Sequence, residues 1–282
     1  MLVEESLKKY WAGFVGVLVC LGAVYWQILA ALFEQWSKDP NYSHGFFVPV
    51  IAGWFAYRQW GAIRRTVVDP SLTGIAVMFG AMVLLVLGFL STEYLTMRVS
   101  LVAMLAGLIL YLFGRSAFRE MRLPVLYLLL MIPLPYILYD AAAFPLKLIV
   151  ANASVNMLKL LGFSVVREGN IILFPSLILE VADACSGLRS LMTLVTLAVT
   201  CSFLMLRTPL MRVLLVVASV PIAVVTNMLR VIVTGILAET ISPELAEGVF
   251  HEMAGLGVFI MALLLTGVLT LILRHLEVRN VA

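Results

Sequence analysis

CSGLRSLMTLVTLAVTCSFLMLR, Cys185 to Arg207, opens on a polar mouth, continues as an apolar run and ends on a cation. The 22-residue separation between Cys185 and Arg207 corresponds to about 33 Å of α-helix, against a hydrocarbon core about 30 Å thick. A bilayer suits such a segment, because a helix satisfies its own backbone groups where no water can. The whole chain has the same character. Of its 282 residues 63% are hydrophobic and 12% charged, with a mean hydropathy of +1.08, whereas soluble domains carry about a quarter charged residues. The sequence therefore predicts an all-α polytopic membrane protein.

Eight apolar runs are long enough to be candidate crossings: roughly 11–33, 44–61, 72–90, 95–113, 122–139, 186–206, 210–238 and 252–273. The first follows Lys8 and Lys9 but exceeds a secretory h-region and lacks a small-residue cleavage site, so it is expected to be retained. Residues 141–184, between the fifth and sixth runs, read differently. AAAFPLKLIVANASVNMLKLLG has helical periodicity with Lys147, Asn152, Asn156 and Lys159 interspersed, as in a helix lying in the interface or a re-entrant one. FSVVREGNIILFPSLILEVADA alternates β-rich runs with turn-like REGN and FPS, as in a short hairpin. The expected organisation is one membrane domain over 1–282, with 141–184 as a small cap on one face.

Charge orients it. With the N-terminus in the cytoplasm and eight crossings, twelve basic residues fall inside and seven outside, while acidic residues divide five to eleven. The basic bias fits the positive-inside rule, so both termini are expected in the cytoplasm and the cap outside. A net charge of +3 is too small to suggest nucleic acid. Three cysteines and three histidines lack metal-ligand spacing, so no metal or other cofactor is expected.

Three polar groups on consecutive helices converge at one height. Cys185 lies 22 residues before Arg207, Arg230 lies 18 after Arg212, and His251 lies 23 before Arg274. These spacings correspond to about 33, 27 and 35 Å, all near the outer interface. A helix N-terminus beside a cation lowers a thiol pKa and makes Cys185 a candidate nucleophile, with Asp183 or Ser186 as cap. His251 can serve as general base or imidazolium partner, or simply as an interfacial histidine. Arg230 can stabilise an oxyanion or snorkel as an anchor; Asn227, one turn away, favours the former. Arg189 can pair with Glu180 or Asp183 and brace the cap. Tyr42 and His44, at the outer start of the second run, line the same mouth or form an interfacial belt. Cys20 and Cys201 sit within apolar runs and read as small buried hydrophobes.

The motifs resemble those of the exosortase/archaeosortase family of membrane transpeptidase-like sorting enzymes. DACSGLRSL (183–191) resembles its nucleophile motif, NMLRVIVTG (227–235) its arginine motif and FHEMAG (250–255) its histidine motif. DPNYSHGFFVP (39–49) resembles the stretch that opens its second helix. The resemblance implies a Cys185–Arg230–His251 triad. It also implies substrates with a PEP-CTERM-type tail, meaning a short Pro-Glu-Pro-like motif, a transmembrane helix and a basic end, often alongside exopolysaccharide production in Gram-negative bacteria. On that basis the protein is expected in the bacterial inner membrane with its active site facing the periplasm. The substrate would enter laterally from the surrounding lipid, and Cys185 would form a thioester resolved by water or another acceptor nucleophile. Some relatives carry a further C-terminal domain, and a separate accessory protein is one candidate for its role here. The competing class is a non-enzymatic component of polysaccharide export or a transporter. Transporters concentrate ionisable residues near the midplane, whereas here they gather at one face.

Overall fold

The structure, a computed structural model, describes residues 1–181, 188–242 and 248–281; at 188–190, 248–252 and 280–281 it describes the backbone. The contacts divide the chain into two compact units, Met1–Pro135 and Tyr136–Ala282. Among the described residues six helices are long and apolar enough to cross a membrane, three in each unit, and Leu191–Met205 forms a shorter apolar helix. The fold is that of an all-α polytopic membrane protein with one small sheet.

The first unit begins with α1 (Val3–Lys9) and the long α2 (Trp11–Lys38). A tight turn follows, in which Asp39 Oδ1 accepts from the Asn41 amide at 2.9 Å. A 3-10 turn, Ser43–Phe46, then leads into α3 (Phe47–Arg58) and the short α4 (Trp60–Ile63). Together the turn and α3 give about 26 Å, just short of the hydrocarbon thickness. The expected 44–61 run therefore divides at Gln59 instead of forming one helix. Next come α5 (Leu72–Leu90) and α6 (Tyr94–Leu112). Their backbones nearly touch: a Cβ on Gly74 would lie 2.3 Å from the Tyr111 nitrogen, and one on Gly107 would lie 2.6 Å from Met78 Cγ. Small residues allow this close packing, which substitutes for the absent hydrophobic drive between helices in lipid.

Glu93 caps α6, accepting from Leu95 N at 2.9 Å, Thr96 N at 2.6 Å and the Thr96 hydroxyl. Burial raises its pKa, but these bonds and nearby Arg98 outweigh burial and hold it below its ordinary value. Gly114, at φ +88°, starts α7 (Arg115–Tyr127); a Cβ there would lie 2.0 Å from the Asp69 carbonyl oxygen. A 3-10 turn, Leu128–Met131, completes this segment, and Ile132 becomes extended ahead of Pro133. The fifth crossing candidate is thus shifted: Pro133 and Pro135 end the segment near 131, and residues 136–139 join the next helix.

The second unit begins with α8 (Tyr136–Leu160), which continues through Pro145. The cap sheet is a three-stranded antiparallel meander, one strand more than the expected hairpin: β1 (Val166–Glu168), β2 (Ile171–Leu173) and β3 (Ile178–Glu180). Then come α9 (Leu188–Met205), α10 (Pro209–Thr240) and α11 (Gly248–Val281), which pack against one another pairwise. The sheet shares a core with α8 and α10, in which Val150 and Leu158 meet Ile172, Phe174 and Val181 over Val231 and Ile232.

Phe174 locks the sheet to α10. A Cβ on Gly235 would lie 2.6 Å from Phe174 Cζ, so the ring rests directly on the helix backbone. Nearby, Ser176 Oγ donates to Glu239 Oε2 at 2.5 Å. Gly235→Ala is expected to cost about 1–3 kcal/mol of thermal stability by overpacking. Adding Phe174→Leu should recover part of that loss, measured by unfolding in detergent; no recovery would contradict this contact.

Candidate active site

The polar face of α10 is the part of the site seen most completely. Thr226 and Asn227 are each 2% exposed, and Thr234 is equally buried. With Arg230, they fall within just over two turns of one side of the helix. Thr226 satisfies itself by donating to the Ile222 carbonyl at 2.8 Å. Thr196 and Thr200 on α9 likewise donate to the carbonyls four residues before them, at 2.9 and 2.8 Å. These three hydroxyls are thus compatible with an apolar surrounding, whereas the buried Thr234 hydroxyl has no hydrogen-bond partner among the described residues.

Arg230 reaches α11. A Cβ on Gly255 would lie 3.0 Å from Arg230 Nη2 and 3.2 Å from its Cζ. The guanidinium therefore rests against bare helix backbone, in space that any larger residue would contest. Position 251 lies in the first turn of α11, four residues before Gly255, so it falls on the same helix face. The α10 arginine and the face of α11 bearing His251 are brought together within one turn.

Cys185, Asp183 and Ser186 lie outside the described residues, between two anchors. On one side Val181 is fully buried, and its amide donates to the Asn170 carbonyl at 2.9 Å. On the other, α9 begins at Leu188, and Arg189 is in its first turn. The chain is thus held to the sheet four residues before Cys185 and to the bundle three residues after it.

Tyr42 and His44 belong to the first unit. Both are buried, with ring centroids 6.3 Å apart, and the Tyr42 hydroxyl donates to the Leu134 carbonyl at 3.4 Å. The structure makes them packed turn residues of that unit. Arg98, one of the seven basic residues that the charge count places outside, is 5% exposed, with its guanidinium 5.4 Å from the Tyr94 ring centroid. Cys20 and Cys201 are free thiols within α2 and α9.

Sequence reading missed Gly255 and the pairing of Phe174 with Gly235. Both glycines stand inside the quoted motifs, but their role is a missing Cβ, which has no chemical signature. Gly255→Ala should move the Arg230 guanidinium by a few tenths of an ångström and lower processing with little loss of stability. Gly255→Leu should displace the guanidinium and abolish processing. Equal activity in all three forms, measured on one substrate, would remove Gly255 from the site.

A family model described as transmembrane exosortase matches residues 36–268, which run through both units and all three helices of the site. Neither the comparison with curated proteins nor that with solved structures found a match.

Proposed function

Because the chain belongs to the transmembrane exosortase family, whose general role is membrane protein sorting of the cysteine protease/transpeptidase type, we propose that it cleaves the C-terminal sorting signal of exported proteins through a Cys185 thioester. The observation that carries this reading is the seating of Arg230 against Gly255, one turn from His251. It supports a shared site at the common end of α9, α10 and α11.

In this mechanism His251 takes the Cys185 thiol proton, and the thiolate attacks the scissile carbonyl. Arg230 stabilises the oxyanion that develops. The C–N bond breaks, and the departing amine takes its proton from the His251 imidazolium. An acceptor nucleophile, a water or an amine, then gives a proton to His251 and attacks the thioester, which restores the thiolate. Asn227 orients Arg230, and Arg189 with Asp183 and Ser186 holds the nucleophile turn. Tyr42 and His44 are proposed as supporting residues for the entering substrate.

The substrate is a protein with a PEP-CTERM-type tail that slides in from the lipid, and the site faces the periplasm from the inner membrane. Both termini are cytoplasmic. The positive-inside rule puts Arg207, Arg212, Arg274 and Arg279 in the cytoplasm when just one of α8 and the Arg115–Met131 segment crosses and the other lies in an interface.

Co-expression with a candidate substrate, followed by mass spectrometry, tests this. Wild type should yield a hydroxylamine-sensitive adduct on Cys185, and Cys185→Ala should yield neither adduct nor product. Arg230→Ala should lower the rate about 10²–10³-fold, the usual loss of one oxyanion donor. Full processing by Cys185→Ala would end the thiol mechanism and favour the export-component reading.

A further inference from the structure

The end of the second unit remote from the cap has a site that the sorting chemistry does not use. A cavity of about 680 Å³ opens where α9 ends, α10 begins and α11 nears its C-terminus. Arg207, Arg212 and Arg274 line it together with Glu277, and Phe203 and Met205 contribute apolar wall. Three guanidinium groups and one carboxylate leave an excess of two positive charges in one concave space.

The carboxylate is already committed. Glu277 is 5% exposed and accepts from the Arg207 amide at 3.0 and 2.9 Å and from the Thr208 amide. It ties the turn before α10 to α11, and its field acts on Arg207. Arg212 is also held in place: Nε and Nη2 both donate to the Leu206 carbonyl at 3.0 Å, and the guanidinium lies 4.7 Å from the Phe203 ring centroid. Among the described residues, neither Arg207 nor Arg274 has a carboxylate within ion-pair distance. Both are exposed at the rim.

Three arginines about one concave space, Arg212 fixed and Arg207 and Arg274 at an exposed rim, suit an anion, and planar guanidinium groups suit phosphate oxygens in particular. Its position between membrane helices, with apolar wall beside the charges, fits a phosphate attached to acyl chains better than one free in water. We propose that this cavity binds the headgroup of an anionic phospholipid, with the phosphate held by Arg207, Arg212 and Arg274 and an acyl chain along Phe203 and Met205. The bound lipid would brace the α9–α10 turn against α11. Such a brace acts on the helices that carry the proposed site, but its existence does not depend on that chemistry.

The full chain in detergent, stripped of lipid, is titrated with short-chain phosphatidylglycerol, phosphatidylcholine of the same chain length, or inorganic phosphate, and thermal unfolding is followed. Phosphatidylglycerol should raise the melting temperature at concentrations where the other two do not. Arg207→Ala with Arg274→Ala should weaken the response about thirtyfold, as expected for losing two interfacial cations. The corresponding double lysine variant should keep part of it. Equal stabilisation by phosphatidylcholine would overturn the proposal, and so would a full response to inorganic phosphate, which would make this a simple anion site. If the alanine variant does not fold, the wild-type comparison of the three ligands still decides.

Discussion

A charged side chain within an apolar helix bundle must be given a place, and the contact of Arg230 with Gly255 provides one. Arg230 lies on α10 where the buried face is already polar through Thr226, Asn227 and Thr234. Gly255 leaves the only kind of surface on α11 that admits a guanidinium so closely, a helix face without a Cβ. A charge in this position is costly unless it is paired or functional. Its seat lies within one turn of position 251, and the proposed site rests on that proximity.

Both ends of α10 are held by contacts remote in sequence. At the end near the sheet Phe174 rests on Gly235 and Ser176 bonds Glu239, so the sheet cannot tilt without disturbing the helix that carries Arg230. At the other end Glu277 of α11 holds the amides of Arg207 and Thr208. Between these clamps the helices meet through small residues and through the self-satisfied hydroxyls of Thr196, Thr200 and Thr226, the usual means of packing in lipid. The sheet also holds the chain through Val181, which leaves a short tether to the nucleophile motif.

Hydropathy alone made the long helices legible, because a crossing demands about twenty apolar residues and few segments meet that by accident. It failed where prolines and 3-10 turns set the boundaries. Residues 44–61 divide at Gln59, and the run written as 122–139 ends at Pro133 and resumes as α8. The third strand, Ile178–Glu180, was hidden because FPS reads as the end of a hairpin when it is in fact the turn into another strand. The positions of Arg230 and His251 were readable because ionisable residues are rare in these helices and their heights follow from the helix rise. Gly255, Gly235 and the burial of Arg98 were not, since each depends on which helix lies opposite.

The central claim is that Cys185 and His251 share one site at the outer ends of α9 and α11. The most direct measurement is a cross-link. Cys20 and Cys201 are replaced by alanine, His251→Cys is introduced, and a short membrane-impermeant bis-methanethiosulfonate cross-linker is added from the periplasmic side. A rapid intramolecular link between Cys185 and position 251, suppressed by bound substrate peptide, is the result this account predicts. Labelling of both thiols with no link between them would contradict it.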